Sequence, residues 1–210
     1  MQRMLGRSYI PALCLLISLA GVSGISAQED RDALVEYRRG NYQTAVEITT
    51  EEIQDNPNRL DAYVVLGWSL LALNRPEEAL ERAERALRLN RRDARVLHIL
   101  GESHYRLENY EQAIQYLQEY IAVNPQGSLR AQVYFFLGDI FYRIGEYHHA
   151  DIALTAAVTY SDLVPRWWAL LGQAREEAGN LQQARVAYEQ ALELQPDFSE
   201  AQNGLDRLSQ

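Results

Sequence analysis

The chain has 210 residues, 47% hydrophobic and 23% charged, which supplies a buried core and excludes wholesale disorder. Its 29 acidic residues outnumber 20 basic ones, all of them arginine, and the formal charge of −9 argues against general affinity for nucleic-acid backbones or anionic membrane surfaces. A single cysteine, Cys14, excludes an intramolecular disulfide and a cysteine-rich metal site, and only 6 prolines and 12 glycines exclude collagen-like or low-complexity architectures.

The first element is a leader. Met1 to Arg7 carries Arg3 and Arg7 and no acid; residues 8–27 carry no charge, with the densest apolar run from Ile10 to Ala20. The run ends in small residues, Gly21-Val22-Ser23-Gly24-Ile25-Ser26-Ala27, and Gln28-Glu29-Asp30-Arg31 follows at once. A basic head, a short apolar middle and a small-residue exit predict a secretory signal peptide over 1–27, cut after Ala27 with Gly24 as the second position. An uncleaved span that anchors the chain in a bilayer is the alternative; Pro11 and the Gly/Ser-rich end count against it. Cys14 sits inside the apolar run after Leu13, so a lipoprotein site is excluded.

From residue 28 to 210 the chain repeats itself. Leu-Gly pairs stand at Leu66-Gly67, Leu100-Gly101, Leu137-Gly138 and Leu171-Gly172, with the glycines 34, 37 and 34 residues apart. Twelve residues after each Gly comes Ala79, Ala113, Ala150 or Ala184; seven further come Ala86, Tyr120, Ala157 and Ala191. Ala45 and Pro57 extend the columns backward, and Pro196 extends them forward. The longer interval absorbs its three extra residues in Pro125-Gln126-Gly127-Ser128.

Each period reads as two helices. Tyr63, Leu66, Gly67 and Leu70 share one helical face, on which Gly lets a neighbour approach closely. Turns are predicted at Gly40-Asn41, Asn74-Arg75-Pro76, Asn109, Gly145 and Gly179-Asn180, and Pro76 suits the first turn of a helix. The second helices carry the Ala columns and end near Asn56-Pro57, Asn124-Pro125 and Gln195-Pro196. One such pair cannot bury its apolar face alone, so pairs must stack. The predicted repeats run at about 29–59, 60–93, 94–130, 131–164 and 165–198, and 199–210, with Ala201 and Leu205 in phase, forms a polar cap.

These residues resemble the tetratricopeptide repeat. Tyr134-x-x-Leu137-Gly138-x-x-Phe141, then Gly145-x-Tyr147-x-x-Ala150 and Ala157, carries the resemblance, and Trp168-x-x-Leu171-Gly172 with Gly179-Asn180, Ala184, Tyr188, Ala191 and Pro196 carries it more closely. It covers roughly residues 29 to 210. The chain departs from the pattern at Arg175, where an aromatic is usual, at Arg91 and Asp162 in place of the closing Pro, and at Glu52 and Tyr120 in place of a small residue. The resemblance implies an all-α, right-handed α-solenoid of stacked antiparallel helix pairs with a C-terminal capping helix.

No catalytic or metal constellation emerges, and no cofactor is expected. His148-His149 are adjacent on a helix and point about 100° apart, so they do not chelate one ion. His98 and His104 lie six residues apart, about 120° round one helix, and Ser103-His104 lacks a third group to complete a nucleophile–base relay. The basic run Arg82, Arg85, Arg88, Arg91, Arg92 and Arg95 reads as an outer face neutralised by Glu78, Glu81 and Glu84, each four residues before an arginine; Arg92 and Arg95 stay without a partner. Trp168 reads as core, and Trp167 as packed on the preceding repeat.

Function is expected on the first helices, on the side away from their partners. That side holds Leu34, Tyr37 and Arg38; Val64, Trp68, Leu71 and Ala72; His98, Glu102, Tyr105 and Arg106; Phe135, Asp139, Tyr142 and Arg143; and Ala169, Gln173, Glu176 and Glu177. In the family it lines a concave peptide groove. The candidate protein-binding residues are Tyr37, Arg38, Trp68, His98, Tyr105, Arg106, Phe135, Asp139, Tyr142 and Arg143, with two Tyr-Arg pairs in adjacent repeats at the centre. The family's Asn-and-Lys clamp for a C-terminal carboxylate is absent: the slots after the glycines hold Trp68, Glu102, Asp139 and Gln173. The expectation is a non-enzymatic scaffold of the periplasm or cell envelope. Its partner is another protein or a peptide segment, not nucleic acid or a small-molecule substrate, and membrane only if the leader stays uncleaved. The alternative is a membrane-anchored assembly component that associates with copies of itself.

Overall fold

The computed structural model describes residues 32–209, so the leader 1–27 and its cleavage bond lie outside the described residues. Eleven helices follow one another among them, with no strand: α1 (Ala33–Arg38), α2 (Tyr42–Asp55), α3 (Leu60–Ala72), α4 (Pro76–Leu89), α5 (Ala94–Arg106), α6 (Tyr110–Val123), α7 (Arg130–Arg143), α8 (Tyr147–Tyr160), α9 (Pro165–Glu177), α10 (Leu181–Leu194) and α11 (Ser199–Arg207). Each helix packs on the next, and the pairs stack into an α-solenoid closed by α11.

Local chemistry sets the ends. Asp32 and Asp93 cap α1 and α5, each accepting two backbone N–H bonds, and Pro76 and Pro165 stand in the first turns of α4 and α9. The turn inside each pair holds one left-handed residue, seven positions after the helix glycine: Gly145 and Gly179 at φ +81°, but Asn74 at +56° and Glu108 at +59°. The expected turn at Asn109 therefore centres on Glu108. Distance from the glycine, not residue type, selects the left-handed position.

The small-residue columns lie at the pair interfaces. Ala45, Ala79, Ala113, Ala150 and Ala184 are all 0% exposed. A Cβ on Gly138 would stand 2.5 Å from Leu154 Cγ, and one on Gly172 2.5 Å from Tyr188 Cε1, so each glycine admits a large side chain from its partner helix. In α3 and α4 the facing residue is Ala83, and Gly67 instead meets Ile99 of the next repeat. Leu117, Leu154 and Tyr188 are wholly buried, each worth about 1.5–3 kcal/mol of burial.

Successive first helices (α1, α3, α5, α7, α9) touch one another, whereas successive second helices do not. The first helices therefore line the inner side of the curve. The sparsest junction between neighbouring pairs is α6 on α7. There Tyr120, 2% exposed, fills a position that Ala86, Ala157 and Ala191 occupy elsewhere, and residues 125–128 lengthen the loop.

Several outer-face expectations are corrected. Arg85 pairs with Glu81 at 3.1 Å as expected, but Glu78 turns back to Arg75 at 2.6 Å, and Arg82 and Arg88 have no ion pair among the described residues. Arg75 immediately precedes α4, from where its fork reaches Glu78 through two hydrogen bonds, a better geometry than one four-residue pair. Arg95 is not free: it binds Asp93 and, across the repeat, Asp61, each at 2.7 Å. Trp168 is half-buried rather than fully in the core, because its indole N–H donates to the Asp162 carbonyl at 2.8 Å. Trp167 stacks on Phe135 of the preceding repeat, centroids 5.0 Å apart. Arg175, standing where an aromatic is usual, ties α9 to α8 through Asp151 at 2.8 Å and Thr155 at 3.1 Å.

Candidate partner-binding groove

The inner side is built from the first-helix positions one, four and five residues after each glycine. Helical geometry puts these on one face about 100° wide. In the two middle repeats the first of these positions is acidic and the last is arginine. Glu102 and Asp139 are 6% and 4% exposed, and burial of a carboxylate requires a partner. Arg106 supplies one to Glu102 through Nε and Nη2, at 3.1 and 2.6 Å, and Arg143 Nε reaches Asp139 at 2.6 Å.

Both pairs also stitch repeats together. Arg106 Nη1 donates back to the Leu71 carbonyl at 2.8 Å, and the Tyr105 hydroxyl donates forward to Asp139 Oδ2 at 2.7 Å. Burial and the Asp139 carboxylate push the Tyr105 hydroxyl well above the ordinary range, so it remains a donor. Tyr105 also packs on Phe136, ring centroids 4.6 Å apart. This pair of residues is therefore inter-repeat structure as much as surface.

Two cavities open on either side of that bridge. The first, about 400 Å³, is lined by Tyr37, Trp68, Leu71, Ala72, His98, Glu102, Arg106, Ser128, Leu129 and Gln132. Tyr37 and Trp68 form an aromatic wall, centroids 5.7 Å apart. His98 is 3% exposed, neither ring nitrogen has a hydrogen-bond partner among the described residues, and Glu102 lies 3.8 Å away; burial lowers its pKa, outweighing the Glu102 carboxylate, and keeps the ring neutral. The second cavity, about 370 Å³, is lined by Asp139, Tyr142, Arg143, Arg166, Ala169, Leu170, Gln173, Phe198 and Glu200.

The expected residues thus divide. Tyr37, Trp68, His98 and Arg106 line the first cavity; Asp139, Tyr142 and Arg143 line the second. Tyr105 bridges the repeats, Phe135 is buried under Trp167, and Arg38 lines neither cavity. The two Tyr-Arg pairs are not a single central patch. Sequence reasoning missed Gln132 and Arg166, which stand six residues before Gly138 and Gly172. Six residues back falls within the same angular sector as the positions used, so extending the rule by one turn finds both. Among the described residues, no group of three His, Cys, Asp or Glu is placed to hold a metal ion.

Comparison with known proteins fits this architecture. Three family models, each described as a tetratricopeptide repeat, match residues 64–128 and 100–150, residues 33–92, and residues 165–198. RNA polymerase II-associated protein 3 of Mus musculus is 25% identical over 175 residues, 75% of this chain and 26% of that protein. A DnaJ homolog subfamily C member 7 homolog of Schizosaccharomyces pombe is 33% identical over 92 residues, 42% of this chain and 19% of that protein. The match thus spans about a quarter or less of these curated relatives. Among solved structures, MamA superposes with a TM-score of 0.67 at 23% identity, covering 80% of this chain and 90% of MamA. YrrB, described as a tetratricopeptide protein with an unusual peptide-binding site, gives 0.69 at 19% identity, covering 83% and 88%. Such a fold is typically a non-enzymatic protein-interaction scaffold. With tetratricopeptide repeat models matching residues 33–150 and 165–198 and helices stacked in consecutive pairs, the chain belongs to the tetratricopeptide repeat family.

Proposed function

We propose that this chain is an exported, non-enzymatic scaffold of the cell envelope that takes an extended segment of a partner protein along the inner side of its helix stack. The observation that carries the reading is the pair of cavities on one face, each walled largely by first-helix side chains and bordered by an ion pair to a buried carboxylate. The ion pairs matter because an open cavity between stacked helices collapses unless its walls are fixed. Aromatic and aliphatic walls at Tyr37, Trp68, Leu71 and Leu129 suit an apolar anchor, and Tyr and Trp are favoured at such contacts. Export rests on the basic head, apolar run and small-residue exit of residues 1–27.

Ala72→Trp tests the groove. Ala72 is exposed at the end of α3 and lines the first cavity, so a large ring there fills the site without deleting a contact. Affinity capture of a partner should fall at least about tenfold, with helical circular dichroism unchanged. Arg88→Ala, on the outer face, should leave capture intact. Loss with the outer variant and retention with Ala72→Trp would overturn the reading. The intact mass of the exported protein tests the leader: a product that keeps Met1 to Ala27 refutes cleavage.

A further inference from the structure

Resting on the groove reading, we infer that the second cavity is a carboxylate site, in which Arg143 and Arg166 receive an acidic side chain of the partner segment.

The inference comes from accounting for the inner-face charges. Arg106 is held on every side: each of its three nitrogens donates within the chain. Arg143 commits only Nε, to Asp139, and its two terminal nitrogens have no partner among the described residues. Arg166 has neither a hydrogen bond nor an ion pair there; its guanidinium lies 5.7 Å from the centroid of the Phe135 ring. The equivalent position explains the difference. Six residues before the glycine stand Asp61, Arg95, Gln132 and Arg166, and Asp61 and Arg95 neutralise each other at 2.7 Å. Gln132 carries no charge, so Arg166 has no counterpart in its column.

The acids near this cavity do not satisfy it. Asp139 Oδ2 accepts from both Tyr105 and Arg143 Nε. Glu200 is exposed and accepts from the Ser199 hydroxyl at 3.0 Å. A chain of net charge −9 thus presents two guanidiniums with unused planar donors facing one cavity, the geometry that suits a carboxylate. The first cavity centres on α3 and α5, the second on α7 and α9, two helix packings on. At about 8–10 Å per packing this separation is about 16–20 Å, or about five or six residues of extended chain. The partner segment therefore carries an apolar side chain and, about five or six residues along, Asp or Glu.

The test displays random peptides of about twelve residues and selects them on the full 210-residue chain. Recovered peptides should pair an aromatic or aliphatic residue with Asp or Glu at that spacing. A recovered peptide remade with Gln for its Glu should bind the wild type about tenfold more weakly, and Arg166→Gln should reduce that difference to less than about twofold. Peptides without acidic enrichment, or an undiminished Glu-to-Gln penalty in both Arg166→Gln and Arg143→Gln, would overturn the carboxylate site. If those peptides still lose binding with Ala72→Trp, the groove reading survives that result. Recovery of no peptide, or of peptides indifferent to Ala72→Trp, overturns the groove reading and this site with it.

Discussion

Tyr105→Phe removes one hydroxyl and nothing else, which makes it the cleanest probe of how the third repeat is held to the fourth. The ring stays against Phe136, 4.6 Å between centroids, while the 2.7 Å bond to Asp139 disappears. A hydrogen bond to a charged acceptor is worth about 1.5–3 kcal/mol. Asp139 is 4% exposed yet keeps the 2.6 Å bond from Arg143, so it is not orphaned and the cost falls near about 1.5 kcal/mol. Asp139→Asn retains an acceptor oxygen but weakens both bonds, for about 2 kcal/mol. Because the two changes act on one shared contact, their effects should fall short of additive by about 1 kcal/mol. Urea unfolding of the wild type, both single variants and the double variant, followed by circular dichroism, measures that coupling. Hydrogen exchange should localise the loss to α7 and α8 rather than α3. A coupling below about 0.3 kcal/mol would refute the claim that this bond joins the repeats.

Other substitutions test the packing and the charges. Gly138→Ala places a Cβ 2.5 Å from Leu154 Cγ and 3.2 Å from the Leu154 backbone N, so despite about 1 kcal/mol of gained helix propensity it should destabilise by about 1–3 kcal/mol in urea unfolding. Gly67→Ala meets only side-chain atoms of Ile99, at 2.9 and 3.0 Å, and should cost clearly less; equal losses would contradict the size pairing of the columns. Glu108→Gly relieves a non-glycine residue at φ +59° and should raise stability by about 0.5–1 kcal/mol, read as a higher urea midpoint. His98 has a folded-state pKa below its ordinary 6.5, through burial and despite Glu102, with Arg106 lowering it further. The unfolded chain thus binds the extra proton first, so His98's contribution is present above about pH 6.5 and is lost as pH falls through the lowered pKa. His98→Gln should flatten the fall in stability as pH drops below about 6.5, and an unchanged pH slope would refute it.

The fold was legible because it repeats. A single Leu-Gly pair means little, but four in register with two Ala columns fix where helices begin, which faces pair and where the turns lie. The ion pairs were far less legible. Glu78 precedes Arg82 by four residues, yet it bonds Arg75, because a guanidinium just before the helix reaches it with two hydrogen bonds. Asp61 and Arg95, 34 residues apart, meet only because stacking brings equivalent positions of neighbouring repeats together. The same distance separates Tyr105 from Asp139. Helical spacing within one repeat does not register such contacts; the repeat length does, once it is treated as a contact distance in its own right.

The candidate groove follows from how the repeats differ, not from what they share. Identical repeats would present the same side chain at every inner position and yield a uniform trough. Here the position after the glycine passes from Trp68 through Glu102 and Asp139 to Gln173, while the position four further on passes from Ala72 through Arg106 and Arg143 to Glu177. Only the middle two combinations form an internal ion pair, and these two buried acids bind the arginines that brace the centre. On one side the sequence offers an aromatic and a small residue, which leaves an apolar hollow; on the other it leaves one arginine partly used and one unused. The centre is closed by its own charges and the flanks stay open. A ligand that fits such a surface engages two separated points rather than a continuous strip, so truncating either anchor should weaken binding without abolishing the other contact.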